Sequence, residues 1–304
     1  MTVNKDYLQL HGLVFLSSLI PAVAIRIPIP SVEIVFLRTL MAVMILGLFI
    51  LIKKINIKLD RNTLLMLLFS GILTAIYWIL LVVSAKISNA SVCLVGIATS
   101  PLWVTFISPI FTGKKIDFYQ FMTGLNAVFG VYMIFSSGFD YEWGLAVAIT
   151  GAVFGALLTV VNSKFAKSYP PTVITFYQMI GAWTGTVMML PLYIKYLAKD
   201  SHLNLNAGTE GFILIFILAF VFSVVAYAVL IRIMKKVSPF TIALTTNLQP
   251  IYGIIVALIV FGKSELMTIY FYSGAIIIIA SVTAFPLVSY FFRDSLPDAE
   301  SVTK

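Results

Sequence analysis

Charge is scarce in this chain. Only 11% of its 304 residues are Asp, Glu, Lys or Arg, where a soluble domain has about a quarter, and 61% are hydrophobic, where about half is usual. A single cysteine, Cys93, excludes an intramolecular disulfide framework. The only histidines are His11 and His202, with no carboxylate near either at metal-ligand spacing, so no metal centre is expected. Clustered His, Asp and Glu of the kind an intramembrane enzyme needs are missing too, and an enzyme is not expected. No phosphate-cradling glycine loop precedes a Lys-Ser or Lys-Thr pair, which removes ATP as a direct energy source. No cofactor is implied. A net charge of +8 could suggest nucleic acid, but the basic residues sit in short clusters between apolar runs, with no basic domain to grip a phosphate backbone.

What is present in abundance is apolar sequence in runs of about 20 residues, the length a helix needs to cross roughly 30 Å of hydrocarbon. Breakers and charges divide it into ten expected spans: 8–26, 32–52, 63–85, 90–112, 117–136, 142–163, 172–195, 211–233, 238–261 and 267–291. The longest polar connection is 198–210. Lys5, the apolar stretch from Leu13 to Ile20 and Ala22-Val23-Ala24 also fit the layout of a cleavable leader. Cleavage would remove the first helix of a repeat whose other copy keeps that helix, so the segment is read as a span.

Lys and Arg are retained on the cytoplasmic side of membranes. With the N-terminus inside, inner segments hold 14 of the 20 basic residues, outer connections hold 5, and Arg38 lies within a span. Both termini are therefore expected in the cytoplasm, and the plasma (inner) membrane is the expected location.

The chain also repeats itself. Lys86–Gly113 aligns with Lys235–Gly262 at a constant offset of 149, pairing Pro101 with Pro250 and Trp103 with Tyr252, and the same offset pairs Trp78 with Tyr227. A weaker match at offset 140 sets Phe36-Leu37-Arg38 against Phe176-Tyr177-Gln178. Each half then holds five helices. An odd number turns the second copy over, and such inverted repeats build a site near the midplane that faces each side in turn. The expected fold is thus an all-α integral membrane protein of ten transmembrane helices as two inverted five-helix repeats. Its first repeat covers 1–138, its second 139–293, and 294–304 forms a polar cytoplasmic tail.

At this level the sequence resembles ten-helix, EamA-type members of the drug/metabolite transporter superfamily. The resemblance rests on Phe36 to Ala42, on Val237-Ser238-Pro239 through Gln249-Pro250-Ile251-Tyr252 to Glu265, and on Gly274-Ala275. The first repeat departs from it, since Gly113-Lys114-Lys115-Ile116 has no glutamate opposite Glu265. Membership would imply export or exchange of amino acids, related metabolites or drugs.

Candidate site residues follow from depth and repetition. Thr241, Thr245, Gln249 and Tyr252 recur at steps of four, four and three and should share a helix face, with Asn247 pointing elsewhere. The matching first-repeat face carries Val92, Gly96, Ser100 and Trp103. Trp78, Ser100, Trp103, Tyr227, Asn247, Gln249 and Tyr252 form the candidate substrate lining, against which ordinary interhelical hydrogen bonding and packing stay open as readings. Pro101 and Pro250 should bend their helices mid-span, and with Arg38 they are candidate gating elements. Arg38 is costly inside hydrocarbon unless paired or wetted. Glu33, five residues earlier, lies about 140° around the helix and is poorly placed to pair with it. Snorkelling of Arg38 to the outer headgroups is the alternative.

The reading is a secondary transporter of small organic metabolites, amino acids or related amphipathic solutes, working outward. Import or exchange of nucleotide-like or anionic metabolites, and a scaffold or receptor that transports nothing, stay open. The expected partners are a small-molecule substrate and membrane lipid, with a homodimer left open.

Overall fold

The computed structural model describes residues 5–113, 116, 118–135, 140–198, 202–262, 266–277 and 279–280. Among the described residues there is helix and connection but no strand. Eight helical segments are long and apolar enough to cross a bilayer: Lys5–Arg26, Ser31–Lys53, Arg61–Ile87, Ala90–Thr112, Glu142–Ser168, Pro171–Tyr196, Gly208–Ile233 and Pro239–Phe261. Each falls on an expected span, and most ends agree with it to within two residues. The fifth expected span is the helix Phe118–Phe135, of 18 residues. The tenth is helical over 269–277, and the rest of it lies outside the described residues, as do both chain termini.

In chain order the elements are α1 (Lys5–Ser18), α2 (Ile20–Arg26), α3 (Ser31–Lys53), α4 (Arg61–Ile87), α5 (Ala90–Ile97), α6 (Ser100–Thr112), α7 (Phe118–Phe135), α8 (Glu142–Ser168), α9 (Pro171–Tyr196), α10 (Gly208–Ile217), a π-helical stretch Leu218–Ala226, α11 (Tyr227–Ile233), α12 (Pro239–Thr246) and α13 (Gln249–Phe261). The α5–α6 and α12–α13 pairs carry the sequence repeat into geometry. Asn89 and Ser238, which are 149 apart, cap α5 and α12 by accepting the N–H groups of Val92 (2.9 Å) and Thr241 (3.1 Å). Both pairs break at the same place, Ala98-Thr99 and Asn247-Leu248. Both end at a glycine with positive φ, Gly113 (70°) and Gly262 (61°), a conformation open to residues without a Cβ.

The prolines therefore act differently from the mid-span bend expected of them. Pro101 and Pro250 occupy the first turn of α6 and α13, where a missing N–H costs nothing, and the preceding helix has already stopped. Pro21 does the same at the start of α2, after a break at Leu19. Each crossing is a pair of half-helices. The expected single face from Thr241 to Tyr252 is accordingly interrupted at Asn247.

The packing is reciprocal between the halves. α3 lies against the π-helical stretch as α9 lies against α4, and α1 meets α12 and α13 as α8 meets α5 and α6. The α4–α9 contact is the closest, because Gly71, Gly181 and Gly185 let the two backbones approach. Large apolar side chains such as Leu48, Leu51, Phe69, Ile110 and Ile259 point outward, a surface that suits lipid and not water. At the start of α4, outside the bundle interior, Asp60 accepts the Thr63 N–H at 2.9 Å, and that bond holds its carboxyl below the usual carboxylate range.

Candidate functional site

The half-helix junctions and the middle of α3, α4, α8 and α11 line a central cavity of about 140 Å³. Arg38, Trp78, Ser100, Tyr227 and Gln249 line it, so the structure brings together five of the residues singled out by sequence. Ser17, Ile97 and Thr246 line it as well, each four residues before one of the prolines Pro21, Pro101 and Pro250. A proline has no N–H to return to the carbonyl four residues back, so the wall of the cavity coincides with the places where the helical ladder loses a rung.

Three candidates lie elsewhere. Trp103 packs against side chains of α8 and α12 and donates its indole N–H to Thr99 Oγ1 at 3.3 Å, within its own turn. Tyr252 meets Phe15 edge-to-face at 5.6 Å. Asn247 sits in the α12–α13 junction, 1% exposed, and neither its amide nitrogen nor its oxygen finds a partner among the described residues. Pro101 and Pro250 are buried at their junctions and flank the cavity through Ser100 and Gln249.

Arg38 is 1% exposed. Its Nε donates to Ser223 Oγ at 2.6 Å, and its guanidinium carbon stands 3.9 Å from the centre of the Trp78 ring. Ser223 in turn donates to the Leu218 carbonyl at 3.0 Å, five residues back, as the wide π turns allow. The expected alternative, snorkelling to headgroups, is not the geometry found, because the side chain turns into the bundle.

The repeat-related position is Gln178, and its surroundings are saturated. Its Nε2 donates to Ser70 Oγ (2.8 Å) and Asn162 Oδ1 (2.6 Å), and its Oε1 accepts from Tyr227 Oη (3.0 Å). Tyr227 Oη also accepts from Asn162 Nδ2 at 2.9 Å and lies 3.5 Å from Thr74 Oγ1. Trp78 and Tyr227, the repeat-related aromatics, meet edge-to-face at 6.0 Å and join the two clusters. Sequence reasoning passed over Ser70, Thr74, Asn162 and Ser223. The offset of 149 does pair Thr74 with Ser223, a signal that could have found those two.

The two ends of the bundle differ. At one end a vestibule of about 950 Å³ is lined by Lys164, Lys167, Lys235 and Lys236, and Met234 borders both this vestibule and the central cavity. At the other end hydrogen bonds tie the elements together. Tyr193 Oη donates to both oxygens of the buried Glu33 (2.9 and 3.1 Å), the Asn204 N–H reaches the same carboxylate at 3.4 Å, and Lys86 Nζ donates to the Ile27 carbonyl at 2.7 Å.

A membrane bundle around a largely apolar cavity with a buried arginine in its wall matches one family along nearly its whole length, the EamA-like transporter family, over residues 8–136 and again over 142–285. The chain belongs to the EamA-like transporter family. The double match agrees with the internal repeat, and the eight apolar spans suit an integral membrane protein. Among relatives, an uncharacterized transporter of Archaeoglobus fulgidus is 26% identical over 177 residues, 58% of this chain and 62% of that protein. The Pseudopaline exporter CntI of Pseudomonas aeruginosa is 27% identical over 169 residues, 54% of this chain and 57% of that protein. The chain thus spans about three fifths of the length of these curated relatives. A protein solved by crystallography superposes with a TM-score of 0.65 over 93% of this chain and 98% of that one, at 13% identity, a likeness of fold alone.

Proposed function

We propose that this EamA-family chain is a secondary transporter that exports small organic metabolites, amino acids or related amphipathic solutes, by alternating access between two inverted five-helix repeats. The observation that carries the reading is the pair of half-helix crossings, capped, broken and terminated at positions 149 residues apart, with their junctions on the wall of one central cavity. Discontinuous helices paired in this way are how inverted-repeat carriers place a polar site at mid-membrane. The reciprocal packing of the halves supports the ten-helix arrangement, with repeats at 1–138 and 139–293. The lysine-lined vestibule fits a cytoplasmic opening in the inner membrane, with both termini on that side. The Glu33–Tyr193 end then fits a closed outer face. Outward transport draws support from the exporter name of the Pseudomonas relative. A scaffold or receptor has no use for the duplicated junctions.

The test is counterflow in proteoliposomes with the purified full chain and a labelled amino-acid panel. Flux above protein-free vesicles is expected for at least one member, saturable and independent of ATP. A panel that gives none would refute the substrate class.

A further inference from the structure

We propose that the central cavity contains a carboxylate subsite built on Arg38, so that the solutes this chain selects present one carboxylate to that guanidinium. The inference rests on the transporter reading and gives its site a chemistry. Three observations carry it.

First, the guanidinium is held but not satisfied. Ser223 takes Nε and Trp78 covers one face, while the two Nη amino groups have no acceptor among the described residues. Arg38 lines the cavity. Those two amino groups form a planar fork, and the geometry it matches is a carboxylate accepting two parallel hydrogen bonds. A lysine or a glutamine could not offer that fork.

Second, the charge lacks a counter-ion. The ion pair present among the described residues joins Lys236 and Asp6, at the rim of the vestibule. Glu33, the acidic residue closest to Arg38 in α3, is engaged by Tyr193 and Asn204 at the opposite end. No described Asp or Glu lines the cavity. A desolvated cation without an anion is unfavourable, and the indole face offsets only part of that cost. An anion entering the cavity would supply the rest.

Third, the repeat provides an internal control. Gln178 occupies the corresponding position, and its donors and acceptor are all used within the protein. The fold is therefore content with a neutral, saturated side chain there. Only the first repeat keeps a charged one with spare donors facing the cavity. The four lysines of the vestibule reinforce the selection, since a positive mouth concentrates anions ahead of the site. Leu10, Leu13, Leu94 and Leu230 supply apolar wall for the remainder of the solute.

N-acetyl-leucine and its neutral isostere N-acetyl-leucinamide separate the charge from the shape. Calorimetric titration of the full chain in lipid nanodiscs at pH 7 should show the acid binding about ten- to a hundred-fold more tightly than the amide, the factor expected for a charge-assisted pair of hydrogen bonds. Arg38→Gln should lower the affinity for the acid by a similar factor and leave the amide unchanged. Arg38→Lys should fall between them. Equal binding of acid and amide by the wild type, binding of neither, or unchanged binding of the acid by Arg38→Gln would each overturn the subsite. If Arg38→Gln does not fold, the acid–amide comparison in the wild type still decides. Flux in proteoliposomes separates this from the transporter reading. Equal flux of both probes leaves a carrier without the subsite, and selective binding with no flux of any solute leaves the subsite without the carrier.

Discussion

The contact between α4 and α9 is close enough that one added methyl group should be felt throughout the bundle. A Cβ on Gly71 would abut the Gln178 carbonyl and stand 2.8 Å from both Ala182 N and Gly181 Cα. A Cβ on Gly181 would abut the Leu68 carbonyl and stand 2.8 Å from its carbon. These are backbone atoms, and no side-chain rotation can clear them. Restoring ordinary contact with those carbonyl oxygens, at about 3.4 Å, parts the helices by about 1 Å, and a gap of that order forfeits about half of each dispersion contact along the seam. The bond from Gln178 Nε2 to Ser70 Oγ, now 2.8 Å, spans the same seam and would stretch with it. Overpacking at about 1–3 kcal/mol plus a weakened buried hydrogen bond at about 1 kcal/mol gives about 2–4 kcal/mol for either Gly71→Ala or Gly181→Ala. Thermal unfolding of detergent-purified protein should register a fall of about 5 °C or more. Gly12→Ala is the control, since nothing lies within 4 Å of its added carbon, and it should melt with the wild type. The double variant Gly71→Ala/Gly181→Ala should lose less than the sum, because the second methyl enters space the first has opened. If the single variants melted within a degree of Gly12→Ala, the close backbone approach would be wrong.

Tyr227→Phe keeps the ring against Trp78 but removes the hydroxyl that serves both Asn162 and Gln178, leaving two buried groups short of a partner. Its cost should be about 1–3 kcal/mol in the same melting assay, and a loss under about 0.5 kcal/mol would show that the cluster is not cooperative. For orientation, a cysteine at the exposed Asn204 in a Cys93→Ser background should react with an impermeant maleimide on intact cells. A reaction that requires permeabilised cells would place the vestibule, not the Glu33 end, outside.

Much of the architecture was legible because its cause is periodic. Apolar runs of membrane length located the helices, and the paired caps, breaks and terminal glycines found in the structure fall on the same offset of 149. The same offset could not say that Pro101 and Pro250 begin new helices and do not bend old ones, since a proline in the first turn and one in the middle look alike in a run of apolar letters. Reading a continuous face from Thr241 to Tyr252 failed for that reason: the spacing of four, four and three holds only while the helix does. Trp103 and Tyr252 went with it, finding partners in Thr99 and Phe15. The polar cluster of Ser70, Asn162, Gln178 and Tyr227 comes from four helices far apart in sequence, and nothing local marks its members. Glu33 was legible by a negative argument. At 140° around α3 it was badly placed for Arg38, and the structure sends it to Tyr193 instead.

Arg38 also makes the protein an electrical object. A charge fixed between the two faces of a membrane sits in the transmembrane field, and moving it fully across does work of about 2.3 kcal/mol per 100 mV. Its contacts Ser223 and Trp78 are uncharged side chains, and neither cancels that coupling. A carrier that reopens the cavity from one side to the other changes how much of the voltage drop lies on each side of this guanidinium, even if the side chain hardly moves. The empty protein would feel the potential as a cation does. With an anion on the guanidinium it would feel almost nothing, and the membrane voltage would then act on the return of the empty site and not on the loaded one.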